Sequence, residues 1–145
     1  MSIHILLVDD NEVFRRPLQR ALEVAGFEVV AVSSAEDALD ALDRSTADLL
    51  LTDHRLPGID GLQLITRIKA THPAVAIIAM TAYGTSESAV EARRCGADDY
   101  LVKPFEMPDL LRAIHRALDQ QKSPAHGGAT STLTQTQQRG NTYGR

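Results

Sequence analysis

Polar groups close four short apolar runs in this chain. Asp9 and Asp10 follow Ile3 to Val8, Asp53 ends the run Asp48-Leu49-Leu50-Leu51-Thr52, Thr81 follows Val75 to Met80, and Lys103 follows Tyr100 to Val102. Apolar runs of this length, bounded by turn residues, read as buried strands. In a parallel sheet their carboxyl ends share one rim, where open α/β folds bind ligands. Three carboxylates, a hydroxyl and an ammonium would then converge. Three close carboxylates repel, so at least one has a raised pKa unless a cation joins them. An all-oxygen acidic set selects a hard cation. Mg²⁺ suits it best, because it binds through few carboxylates and keeps positions for water or phosphate oxygens. Lys103 adds a second positive centre. Together these are parts for phosphoryl transfer, with cations offsetting charge on the phosphoryl oxygens and a carboxylate attacking in line.

Each group has a plainer reading on its own. Asp53 alone is a turn or cap residue, and Asp9-Asp10 ahead of Asn11 would cap a helix. Thr81 alone is a loop hydroxyl, Lys103 a solvated surface lysine, and Tyr100 a packing residue of its strand. Their recurrence at successive strand ends is what favours chemistry.

The elements that position them follow from periodicity. Helix-period segments alternate with the apolar runs: Asn11 or Glu12 to Ala25, Ser34 to about Arg44, Gly61 to Thr71, Ser86 to Arg94, and Pro108 to about Gln121. The first presents Phe14, Leu18, Ala21, Leu22 and Ala25 on one face and stops at Gly26. Pro17 falls inside it, where it removes a backbone donor. Glu28 to Val32 is a second strand, which offers only Ser33 and Ser34 at its end. Strands that are apolar throughout imply a parallel sheet covered on both faces. With right-handed crossovers the fold class is α/β, a doubly wound five-stranded parallel sheet with five helices.

Composition narrows the class. The chain has 145 residues, 43% of them hydrophobic, which is room for one domain with a core. Cys95 is the only cysteine, so no internal disulfide forms, and the expected compartment is reducing and cytoplasmic. The histidines at positions 4, 54, 72, 115 and 126 lack zinc-ligand spacing. No Gly-x-Gly-x-x-Gly or Walker pattern occurs. The longest uncharged run, Ala70 to Ser86, contains His72, Pro73 and Gly84 and does not read as a membrane span. The net charge is −4, and residues 122–145 carry three basic and no acidic groups, leaving −7 on the body. So acidic a body argues against direct nucleic-acid binding. From Lys122 onward Ser, Thr, Gln and Gly dominate, with Ala125, Ala129, Leu133 and Tyr143 as the apolar residues. The expected domains are therefore 1–121, folded, and 122–145, a disordered polar tail or linker stub.

Four segments in order carry a resemblance: Leu6-Leu7-Val8-Asp9-Asp10; Asp53-His54-Arg55-Leu56-Pro57-Gly58-Ile59-Asp60-Gly61; Met80-Thr81-Ala82; and Gly96-Ala97-Asp98-Asp99-Tyr100-Leu101-Val102-Lys103-Pro104-Phe105. Over roughly residues 3–120 the chain resembles the receiver domain of bacterial two-component response regulators, which implies a flavodoxin-like sheet with strand order 2-1-3-4-5. The resemblance implies that Asp53 accepts a phosphoryl group from the phosphohistidine of a sensor histidine kinase or phosphotransfer protein. It implies Mg²⁺ held by Asp10 and Asp53, by Asp9 through water, and by the backbone carbonyl of Arg55. Lys103 pairs with a phosphate oxygen and Thr81 bonds another. Thr81 and Tyr100 act as the switch, and the face of the fourth helix, fifth strand and fifth helix is remodelled for a partner or homodimer. The Lys103-Pro104 peptide is expected to be cis. Leu56 stands where methionine is frequent, while Arg55 and Tyr83 flank the site at positions that could set acyl-phosphate lifetime.

Two rivals remain open in the sequence. One is a receiver-like module that binds partners without phosphorylation, against which the full Asp9, Asp10, Asp53, Thr81 and Lys103 set argues. The other is a phosphatase with an aspartyl nucleophile. Such enzymes usually place a second acid two residues past the nucleophile, where this chain has Arg55. The chain is thus expected to modify its own Asp53 and not to turn over external substrate.

Overall fold

The computed structural model describes residues 2–82 and 84–122. Strands and helices alternate: β1 (His4–Val8), α1 (Glu12–Val24), β2 (Glu28–Val32), α2 (Ala35–Arg44), β3 (Leu49–Asp53), α3 (Gly61–Thr71), β4 (Ala76–Thr81), α4 (Ser86–Cys95), β5 (Asp99–Val102) and α5 (Met107–Lys122). The strands form one parallel sheet in the order β2-β1-β3-β4-β5, as expected from the sequence. Boundaries depart from the sequence reading by a residue. β3 and β4 run on through Asp53 and Thr81, because their backbones still pair, with Asp53 opposite Met80 and Thr81 opposite Val102. α5 begins at Met107 and includes Lys122. The expected tail otherwise lies outside the described residues.

Side-chain alternation along the strands builds two cores. Leu6, Val8, Leu50, Ile77 and Ala79 face α2, α3 and α4, where they meet Ala38, Leu42, Leu64, Ile65 and Ile68. Ile5, Leu7, Leu49, Leu51, Ala76, Ile78 and Met80 face α1 and α5, where they meet Leu18, Leu22, Leu110 and Ile114. Truncating one of these fully buried leucines to alanine would cost about 2–5 kcal/mol. Helix starts are local. Asn11 caps α1 by accepting from the Val13 N–H, and Ser34 caps α2 by accepting from Asp37. Asp60 and Gln63 form a capping box at α3. Pro17 lies exposed on α1, and the helix continues past it to Val24. Its missing N–H leaves the Val13 carbonyl on an exposed turn, where water can satisfy it.

Candidate functional site

The strand order reverses direction between β1 and β3, and at that point a doubly wound sheet opens its crevice. Val8 pairs with Thr52, so the residues that follow them, Asp9 and Asp53, emerge side by side. Both continue the strand positions that face α1 and α5, through Leu7 and Leu51. Lys103 likewise continues from Leu101 on that side of β5. Strand register alone thus brings two carboxylates and an ammonium to one place.

Asp9 is completely buried, and its oxygens are partnered. Oδ1 accepts the Asn11 N–H at 2.9 Å and Oδ2 accepts Lys103 Nζ at 2.7 Å. The Arg15 guanidinium donates to the Asp9 backbone carbonyl at 2.8 Å. Lys103 Nζ also lies 3.5 Å from Asp53 Oδ2 and 4.2 Å from the centre of the Phe14 ring. The Lys103-Pro104 peptide is cis, and the Lys103 N–H donates to the Thr81 carbonyl at 2.7 Å. That bond ties the β5 end to the β4 end. Thr81 is buried, and Tyr100 is half-buried against the core on the α2–α4 side.

Asp53 keeps a partly open carboxyl group. Its Oδ1 accepts weakly from the Arg55 N–H at 3.4 Å. Burial pushes the Asp53 carboxyl above the ordinary aspartate value of 3.8; the Lys103 ammonium opposes that rise, the Asp9 carboxylate adds to it, and the Arg55 N–H opposes it. Asp9, Asp10 and Asp53 each present a carboxylate oxygen within 4.8 Å of the others. All donors are hard oxygens, and Asp10 is exposed, so the set fits a divalent cation of the Mg²⁺ type.

The loop after Asp53 is pinned from beneath. A side chain at Gly61 would press on the Asp53 carbonyl and lie 2.7 Å from the His54 carbonyl, so the first residue of α3 must be glycine for this close approach. The Asp60 carboxylate accepts from the Leu56 N–H at 3.3 Å. Two features of the site were not visible as such in the sequence. Phe14 reads there as an ordinary core position of α1, yet its ring faces Lys103. His54 reads as a loop residue, yet it is buried at 2% exposure, and among the described residues neither ring nitrogen has a hydrogen-bond partner. Nothing in the structure explains why a histidine fills that position.

The profile of the response regulator receiver domain matches residues 5–115. The response regulator protein FleR of Pseudomonas aeruginosa is 46% identical over 116 residues, which are 80% of this chain and 24% of FleR. The DNA-binding transcriptional regulator NtrC of Klebsiella pneumoniae is 43% identical over 77% of this chain and 24% of its own length. The chain therefore spans about a quarter of the length of these curated relatives. Among solved structures, a CheY-like receiver domain protein from Methanospirillum hungatei superposes with a TM-score of 0.79 at 31% identity, covering 84% of this chain and 98% of that one. NtrX from Brucella abortus gives 0.79 at 35% identity, over 84% of this chain and 28% of that one. Strand order, rim constellation and these likenesses agree, and the chain belongs to the response regulator receiver domain family.

Proposed function

We propose that this domain receives a phosphoryl group on Asp53 from the phosphohistidine of a sensor histidine kinase or phosphotransfer protein. The observation that carries this reading is the placement of the Lys103 ammonium, 2.7 Å from buried Asp9 and 3.5 Å from Asp53. The Asp53 carboxylate oxygen attacks phosphorus in line. The phosphorus–nitrogen bond breaks, its electron pair stays on the departing imidazole, and an acyl phosphate forms on Asp53. Lys103 then has a phosphoryl oxygen to pair with, and Thr81 supplies a hydroxyl for another. Asp9 already serves Lys103 and Asn11, so Asp10 and Asp53, with the Arg55 carbonyl, are the more open ligands for Mg²⁺. Bound there, Mg²⁺ would offset the charge of the phosphoryl oxygens.

Phosphorylation adds about −1.5 to −2 charge and three acceptor oxygens. Drawing Thr81 and Lys103 toward that charge pulls on both strand ends, since the Lys103 N–H is bonded to the Thr81 carbonyl. Tyr100 follows as the switch residue, and the face of α4, β5 and α5 changes shape for a partner or a second copy. Val90 and Val102 already expose apolar surface there. The domain acts on its own aspartate, not on external substrate. Among the described residues no helix is long and apolar enough to cross a membrane. A cytoplasmic location fits the single cysteine.

Incubation with acetyl phosphate and Mg²⁺, followed by intact mass measurement, tests the proposal. Gain of one phosphoryl group, lost in Asp53→Asn and blocked by EDTA, is expected. Wild-type protein that gains nothing would favour the phosphorylation-independent module.

A further inference from the structure

Phe14 does more than complete the apolar stripe of α1. The face of its ring lies 4.2 Å from Lys103 Nζ. Besides packing on the core of that side, it meets the Phe105 ring edge to face, with centroids 6.0 Å apart and planes at 88°. Phe105 follows the cis Lys103-Pro104 peptide, so the two rings clamp the segment that carries the lysine. Among the described residues, Asp9, Asp53 and the Phe14 ring therefore hold one ammonium.

These holders are not equivalent. Lysine is a point charge on a flexible four-carbon stem and keeps a fixed position only when something restrains it. Asp9 and Asp53 belong to the carboxylate set that would also serve a divalent cation. A carboxylate shared with a second cation attracts the ammonium less. The ring has no formal charge to share, and its negative face attracts a cation lying over it. Lys103 is also poorly exposed, at 17%, so water competes weakly for the ammonium there. An aliphatic side chain at position 14 would remain apolar but offer no such face.

We propose that Phe14 is a positioning residue for phosphoryl uptake, helping Asp9 to hold the Lys103 ammonium beside the acceptor carboxylate while Asp53 serves other charges. The proposal rests on Asp53 being the phosphoacceptor. Its test uses Phe14→Leu, which stays apolar and removes the ring, and Phe14→Tyr, which keeps the ring. Phe14→Met fills the same volume should the leucine variant fail to fold. Two readouts are taken. NMR of the Lys103 ε-methylene, with and without Mg²⁺, reports the upfield shift that a ring face imposes. The initial rate of uptake from acetyl phosphate reports function.

In the wild type and Phe14→Tyr, the Lys103 signal should be ring-shifted in both conditions. In Phe14→Leu it should return to the position of an ordinary lysine, and uptake should slow on the order of three- to tenfold. A Lys103 signal that does not respond to loss of the ring overturns the placement, even if uptake falls. A signal that responds while uptake is unchanged overturns the functional role. Wild-type protein that takes no phosphate would instead refute the phosphoacceptor reading, and with it the role assigned to Phe14.

Discussion

At the amino end of the sheet His4 sits between Glu28 and Asp48, at 3.4 and 3.8 Å, with all three side chains about half exposed. At the carboxyl end Lys103 sits between Asp9 and Asp53, at 2.7 and 3.5 Å, with every partner under 20% exposed. The chemical inventory is similar: one basic group between two acids. The physical state is not. Exposed pairs gain roughly 0–1 kcal/mol, because water and salt screen them. A buried pair has given up hydration, so removing one partner leaves the other charge stranded at a cost of about 3–5 kcal/mol. The carboxyl rim therefore holds charges under tension, and the rise of the Asp53 pKa is one sign of it. On the proposed reading, a phosphoryl group on Asp53 adds oxygens that an ammonium already in place can meet.

Substitutions at the two rims should separate widely. The largest effect is expected where α3 presses on the acceptor loop. Gly61→Ala places a carbon against the Asp53 and His54 carbonyls, which are backbone and cannot turn aside. A loss of about 3 kcal/mol in urea denaturation is predicted, together with loss of phosphoryl uptake. At the other end Gly26 has open space where a side chain would go, and only its φ of +104° opposes substitution. Gly26→Ala should cost about 1–2 kcal/mol and leave uptake intact. A comparable loss of uptake at both glycines would break the contrast.

The charged groups come next. Asp9→Asn should cost about 2–3 kcal/mol, somewhat below the full stranding penalty because Lys103 retains Asp53 and the Phe14 ring. His4→Gln should change stability by less than about 0.5 kcal/mol, since His4 and both acids are about half exposed and the imidazole pairs as an ion only when protonated. Equal costs, measured by denaturation in low and high salt, would show that burial does not distinguish the rims.

The smallest effect concerns Asp53 itself in metal-free protein. Its folded pKa is raised, so the folded state binds that proton more tightly than the unfolded chain does. The stability linked to this group is fully present below pH 3.8 and is lost as pH rises through the raised value. Asp53→Asn should therefore be more stable than wild type at pH 7, and the advantage should shrink on acidification. Denaturation midpoints at both pH values check the sign, and an aspartate-to-asparagine loss of stability at pH 7 would reverse it.

Much of this was legible in the residues. Apolar runs and 3.6-residue periodicity fix the order of ten elements, and β2 has the bounds expected from Glu28 and Val32. Sequence polarity places the strand ends one residue early at Asp53 and Thr81, because it marks where a side chain leaves the core while backbone pairing continues past it. The convergence of the rim residues is legible because parallel strands align their ends, so four positions distant in sequence need no contact information to be grouped. Phe14 and His54 were not readable as site neighbours. A phenylalanine at a helical core position and a histidine in a loop are chemically ordinary. What distinguishes them is which group the ring faces and whether the nitrogens find partners, and both depend on tertiary packing.

Of the three neighbouring carboxylates, Asp53 is the one proposed to carry phosphate. Borohydride reduction of protein treated with acetyl phosphate and Mg²⁺ converts an acyl-phosphate aspartate to homoserine, which peptide mass spectrometry then locates. Homoserine at position 53 and at neither 9 nor 10 is predicted. Homoserine at position 9 or 10, or at none of the three in protein whose fold is intact, would contradict the account.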